Sequence, residues 1–119
     1  MMSRYDDRFD PKRYADDPPV RVFLVEGVGV DDEFWLPERL WARIVAIASA
    51  YELHLLPVLG WSDEPRFLNA QQSLGLLDEL EFVATQVDDG LLDTVIEGIV
   101  RQVRKARGAS KNALGIDFS

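Results

Sequence analysis

Val20-Arg21-Val22-Phe23-Leu24-Val25-Glu26, bracketed by Pro19 and Gly27, is the stretch on which the fold turns. β-Branched and aromatic residues dominate it, the composition of a pleated strand. Val20, Val22 and Leu24 fall on one face and Phe23 and Val25 on the other. Apolar residues on both faces predict a central strand covered by helices.

Downstream, Gly27-Val-Gly-Val-Asp-Asp-Glu33 reads as a loop. Proline suits the first helical position, so Pro37 predicts a helix running to about Leu53. Leu36, Leu40, Ile44, Ile47 and Tyr51 recur at three- and four-residue steps, and Trp41, Val45 and Ala48 widen that stripe. His54-Leu-Leu-Pro-Val-Leu-Gly60 reads as a second strand, kinked or at an edge because Pro57 lacks a backbone donor. Strand, helix and strand in this order predict a right-handed βαβ unit.

Trp61 to Leu68 is expected to be a loop, with Asn69 as the cap of a helix whose apolar face is Leu74, Leu77, Leu80, Val83 or Ala84, and Val87. A strand over 80–87 is the alternative there. Asp88-Asp89-Gly90 is a break and a new cap. It opens a helix over about 91–107 that buries Leu92, Val95 or Ile96, Ile99 and Val103, and Gly108 closes it. Leu114 to Phe118 is a last strand, with Ile116 and Phe118 on one side and Asp117 on the other.

The predicted class is α/β, with α+β as the alternative. Residues 20–119 form one small domain in the order β-α-β-α-α-β, its small sheet packed by about three helices. Residues 1–19 are a polar, charge-mixed arm ending in Asp-Asp-Pro-Pro. Tyr5, Phe9 and Tyr14 on that arm predict docking, in cis or on another subunit. A chain of 119 residues suffices for one core. No apolar run approaches the length of a membrane span, and the N-terminus has no apolar signal core. Cysteine is absent, which removes thiol chemistry and fits a reducing, cytoplasmic setting.

Net charge is −8, and its distribution is uneven. Residues 62–97 hold nine acids against the single base Arg66, so this segment accounts for the whole excess. Such a surface opposes non-specific nucleic-acid binding, which depends on neutralising phosphate, and attracts a basic partner. The bases Arg101, Arg104, Lys105, Arg107 and Lys111 match the negative end of a helix better than they match a phosphate site.

Catalytic sets are not legible. The one histidine, His54, has no Gly-x-Ser-x-Gly serine to serve. Gly27 and Gly29 follow a strand, but Asp32 stands where a dinucleotide fingerprint needs its third glycine. Asp31, Asp32 and Glu33 form a candidate carboxylate cluster for a metal-dependent enzyme.

The expected function is therefore a non-catalytic, acidic protein-interaction module without cofactors. A bacterial inhibitor or toxin-immunity protein facing a basic partner is its concrete form. Trp61, Asp63, Glu64, Asp88, Asp89 and Asp93 are the expected contact residues, since tryptophan ringed by charge is typical of binding hot spots. A self-associating subunit, or homo-oligomer, is the alternative, and a carboxylate-based metal enzyme is the next.

Overall fold

The computed structural model describes residues 18–24, 33–60, 66–108 and 114–118. The aromatic arm residues, Gly27, Gly29, Asp31, Asp32, Trp61, Asp63, Glu64 and Lys111 lie outside the described residues. Described elements follow the chain as β1 (Pro19–Leu24), β2 (Glu33–Pro37), α1 (Glu38–Ala50), α2 (Leu55–Gly60), β3 (Arg66–Leu68), α3 (Ala70–Gln86), α4 (Gly90–Gly108) and β4 (Leu114–Phe118). The class is mixed α/β: a four-stranded antiparallel sheet in the order β2-β1-β4-β3, with four helices.

β1 is central, as its composition predicts, but the described helices cover one of its faces and not both. Its Val20 and Val22 pair with Leu36 and Phe34 on one side and with Phe118 and Ile116 on the other. Val20, Val22, Phe34, Leu36, Leu68, Leu114 and Ile116 share one sheet face and are buried with the helices in a single cluster. The opposite face carries Arg21, Phe23, Glu33, Trp35, Phe67, Gly115 and Asp117. The apolar residues on both faces of β1 thus do two jobs. One face meets helices, and Phe23 on the other meets neighbouring strands.

Three segments differ from the sequence reading. Residues 33–37, where the loop was expected to end at Glu33 and a helix to begin near Pro37, are a strand. Pro19 faces Pro37 across the β1–β2 ladder, and the Glu38 N–H donates to the Pro18 carbonyl beyond them at 3.0 Å. That bond marks the Pro19–Pro37 pair as one that exchanges no hydrogen bonds, so neither missing N–H costs anything there. Pro37 then caps α1 in the extended conformation (φ −65°, ψ 141°) instead of being its first helical residue. Residues 66–68, expected as loop, pair with β4 as the short edge strand β3.

Residues 55–60, within the stretch 54–60 expected as a strand, are helical, which removes the βαβ unit; among the described residues every strand pairing is antiparallel. The cause lies elsewhere in the chain. One Glu79 carboxylate on α3 accepts from the N–H groups of Leu55 (2.8 Å) and Leu56 (2.9 Å), capping α2 from 24 and 23 residues away. Pro57 sits in the first turn, where a helix needs no donor. Leu56 and Leu59 are buried. Burying two leucines contributes roughly 3–6 kcal/mol, which outweighs strand preferences spanning about 1 kcal/mol.

The other helices follow their sequence signals. α1 buries Leu40, Trp41, Ile44 and Ala48. Asn69 and Gln72 form a reciprocal capping box at α3 (2.8 and 3.0 Å). α3 runs through Gln86, so 80–87 is not a strand, and it buries Leu76 in place of the expected Leu74, which is 40% exposed. α4 buries both Val95 and Ile96, along with Leu92, Ile99 and Val103. Among the described residues no helix is long and apolar enough to cross a membrane.

Two backbone details govern stability. Gly98 lets α4 approach the sheet: a Cβ there would stand 2.2 Å from the ring tip of buried Phe34. Glycine to alanine inside a helix ordinarily adds about 1 kcal/mol. Overpacking a core costs about 1–3 kcal/mol, so Gly98→Ala is expected to lower the melting temperature, and Phe34→Leu in the same chain to recover part of the loss. The C-terminus of α1 closes by the Glu52 N–H to Ser49 (3.1 Å) and the Leu53 N–H to Ala48 (2.9 Å), with Glu52 left-handed at φ 58°. This is the arrangement that usually places glycine at that residue. The left-handed region costs a side-chain-bearing residue about 1–2 kcal/mol, and glycine returns about 0.5–1 kcal/mol of that as chain entropy. Glu52→Gly should therefore leave the protein more stable by up to about 1 kcal/mol in urea unfolding, and a loss would show that the Glu52 side chain contributes more than its strain costs.

Candidate interaction surface

Asp88, Asp89 and Asp93 come together at the elbow between α3 and α4, but they do different things. Asp89 Oδ1 accepts from the N–H groups of Leu91 (2.9 Å) and Leu92 (3.3 Å), capping α4. Its Oδ2 meets Arg43 Nη1 of α1 at 2.6 Å. The Leu92 N–H, aided by that of Leu91 and by the Arg43 charge, holds the Asp89 carboxyl below its ordinary value against the opposing effect of burial. Asp88 and Asp93, on either side, are exposed, and their carboxylates meet no cation among the described residues. Asp93 lies in the first turn of α4, where the helix dipole favours an acid.

The remaining acids of α3 and α4 divide in the same way. Glu79 is turned inward to cap α2. Glu81 reaches Arg104 at 4.0 Å across the two helices. Asp78 and Glu97 are exposed. Local spacing predicts the Asp89 cap. The Arg43 contact and the Glu79 cap join residues far apart in sequence, and no local signal reveals them.

A second surface was not legible as a site. On the sheet face away from the helices, Arg21 stands opposite both Trp35 and Asp117. Its guanidinium lies 3.9 Å from the centre of the Phe23 ring and 5.9 Å from that of Trp35. Arg21 Nη1 meets Glu33 Oε1 at 3.1 Å, and Nη2 lies 4.0 Å from Asp117 Oδ2. Trp35 Nε1 donates to Glu33 Oε2 at 3.2 Å. Beside this cluster, Phe23 and Phe67 meet edge-to-face at 6.3 Å. Gly115, opposite both, leaves the Phe23 ring room: a Cβ there would come within 2.3 Å of it. Phe67 remains 59% exposed.

This arrangement bears on the carboxylate cluster expected at residues 31–33. Both oxygens of Glu33 are engaged by Arg21 and Trp35. Among the described residues no group of three or more His, Asp or Glu side chains is placed to hold a metal ion. Trp35 is a strand residue whose indole is tied to Glu33. His54 is exposed just before α2. No known family, curated protein or solved structure matches the chain.

Asp89 has a measurable signature. Its lowered folded pKa means that its contribution is present above the unfolded value of 3.8 and is lost as pH falls from there through the folded value. Asparagine caps a helix about as well as aspartate. Asp89→Asn should therefore unfold with a shallower pH dependence below about pH 4 than wild type and cost little at neutral pH, since exposed ion pairs are worth about 0–1 kcal/mol. Asp89→Ala should lose about 1 kcal/mol at pH 7. Urea titrations from pH 3 to 7 check both, and equal losses for the two variants would place the energy in the Arg43 pair instead of the cap.

Proposed function

We propose that this protein is a non-catalytic interaction module that presents acids from its α3–α4 hairpin to a basic protein partner. The observation that supports this reading is the division at the elbow. Asp89 is committed to the fold, while Asp88 and Asp93 beside it are exposed without an intramolecular cation among the described residues. Their charges are available for work outside the chain. Trp61, Asp63 and Glu64 are assigned to the same interface by the charge imbalance of residues 62–97 and by the affinity of tryptophan for binding hot spots. A cytoplasmic inhibitor or immunity-type protein is the form that best suits a small, acidic, cysteine-free chain.

In this role the acids act chiefly on association. A negative surface raises the rate of encounter with a basic partner, and salt screens that attraction over about 8 Å at physiological ionic strength. Asp89 supports the interface indirectly, by holding the start of α4, and so the Asp88–Asp93 spacing, in place.

The test is a pull-down from native lysate at low and high salt, followed by binding kinetics with the captured protein. A basic partner should be recovered at low salt and weakened at high salt. The Asp88→Lys, Asp93→Lys double variant should then associate at least about tenfold more slowly at low salt, with a smaller change in dissociation. Kinetics unchanged by the reversal would remove the elbow acids from the interface and leave them as solubilising charge.

A further inference from the structure

Among the described residues the exposed large apolar side chains are Tyr51, Val58, Phe67, Leu74 and Phe82. Phe67 belongs to the outer sheet face. The others come from the end of α1, from α2 and from α3, which pack against one another. Tyr51 and Phe82 meet edge-to-face at 5.2 Å and remain 48% and 37% exposed. Leu74, Asp78 and Phe82 recur at four-residue steps, so they form one ridge of α3. The helical rise makes that ridge about 12 Å long. Leu55 of α2 lies beside it: its side chain stands 3.8 Å from where a Cβ on Gly75 would be, and its N–H meets Glu79. Val58 follows one turn further along α2. Apolar side chains scattered singly over a surface need no explanation, but a cluster with a polar rim marks an interaction site.

The rim of this cluster is acidic, and the cluster adjoins the elbow. Along one flank of α1, Arg43 meets Asp89 and Tyr51 meets Phe82. Eight residues separate Arg43 from Tyr51, about 12 Å of helix. Glu52 beside Tyr51, Asp78 between Leu74 and Phe82, and Asp88 after the end of α3 are exposed, and they meet no cation among the described residues. From residue 44 to residue 88 the only lysine or arginine is Arg66, on β3.

We infer that Tyr51, Leu74 and Phe82 are the apolar anchor for an amphipathic, basic helix of the partner protein. The inference rests on the partner reading above and adds to it the chemistry of the segment that binds: apolar residues on one face, with lysine or arginine beside them. Apolar side chains at three-, four- and seven-residue spacing on such a helix match the length of the Leu74–Phe82 ridge. Its cations meet Glu52, Asp78 and Asp88. A second copy of this chain would set the same acids against each other, with −8 on each side. An anionic membrane surface is opposed on the same ground. Rim acids steer the encounter, whereas the aromatic pair holds the complex once formed, so the two act on different rates.

Two synthetic peptides of about 14 residues test this, one with leucine and lysine at helical spacing and one with serine in place of every leucine. Each is titrated into the isotope-labelled full chain at about 0.15 M salt, and binding is followed through the backbone amide resonances. The leucine–lysine peptide should bind at least about tenfold more tightly than the serine–lysine peptide. It should shift the amides of Tyr51, Leu74, Asp78 and Phe82. Phe82→Ala should weaken it at least about tenfold, chiefly through faster dissociation, and leave the serine–lysine peptide unaffected. Asp78→Lys, at an exposed position that the fold does not use, should slow association at least about threefold and keeps the test open should Phe82→Ala fail to fold. Melting of each variant reports folding. Equal affinity for the two peptides, shifts centred away from α3, or a folded Phe82→Ala that binds like wild type would overturn the anchor and leave the acidic-interface reading standing. Binding of neither peptide would overturn both. Shifts at Tyr51 and Phe82 on concentrating the free chain would assign the patch to a second copy and overturn the proposal as well.

Discussion

Along each strand, side chains alternate between two faces, and among the described residues this sheet meets helices on only one of them. Val20, Val22, Phe34, Leu36, Leu68, Leu114 and Ile116 all point to the helices, and they are buried. A slip of one residue in the β1–β2 or β1–β4 pairing would exchange this set for Arg21, Glu33 or Asp117 and carry a charge into the core. The penalty is large enough to hold the register by itself. The outer face reinforces it, because Arg21 reaches Glu33, Asp117, Phe23 and Trp35 only in the observed alignment. Helix placement follows from the same requirement. α4 crosses the sheet closely enough for Gly98 to touch Phe34, and α1 and α3 enclose the remaining apolar surface with it.

The acids show how one residue type takes separate roles by position. Glu79, Asp89 and Glu33 each accept from groups that would otherwise be costly to leave unpaired: two helix starts, a guanidinium and an indole. Asp78, Asp88 and Asp93 are exposed instead. A net charge of −8 therefore overstates the acidity available to a partner and understates the structural use of carboxylates. It is the exposed subset, concentrated on the α3–α4 hairpin, that underlies the proposed interaction.

How far the sequence was readable depends on where each instruction lies. β1, α1, α3, α4 and β4 carry their signals within their own residues: periodicity, Asn69 and Asp89 as caps, Gly108 as a stop. The elements whose local signals mislead are short. β3 has three residues, too few for any period, and exists because β4 offers it a partner. Glu33–Pro37 alternates buried and half-buried residues, but an adjoining proline and a helical stripe beginning at Leu36 disguise it. Leu55–Gly60 is apolar throughout, and a short apolar run suits strand or helix alike. The candidate site divides similarly: the elbow and its cap were legible, whereas the hold of Arg43 on Asp89 and the aromatic cage around Arg21 were not.

By itself, then, the sequence determined the mixed class, the central strand, the three long helices with their buried stripes, and the acidic balance. Local periodicity and capping suffice for these, because the groups that satisfy each other lie within one or two turns. Only the tertiary structure decided that the strands pair antiparallel, that 55–60 is a helix, and which acids remain exposed. Each of those outcomes depends on a partner supplied from a distant part of the chain — Glu79 for α2, Arg43 for Asp89, β4 for β3 — and a contact between distant residues leaves no mark in the spacing of either one.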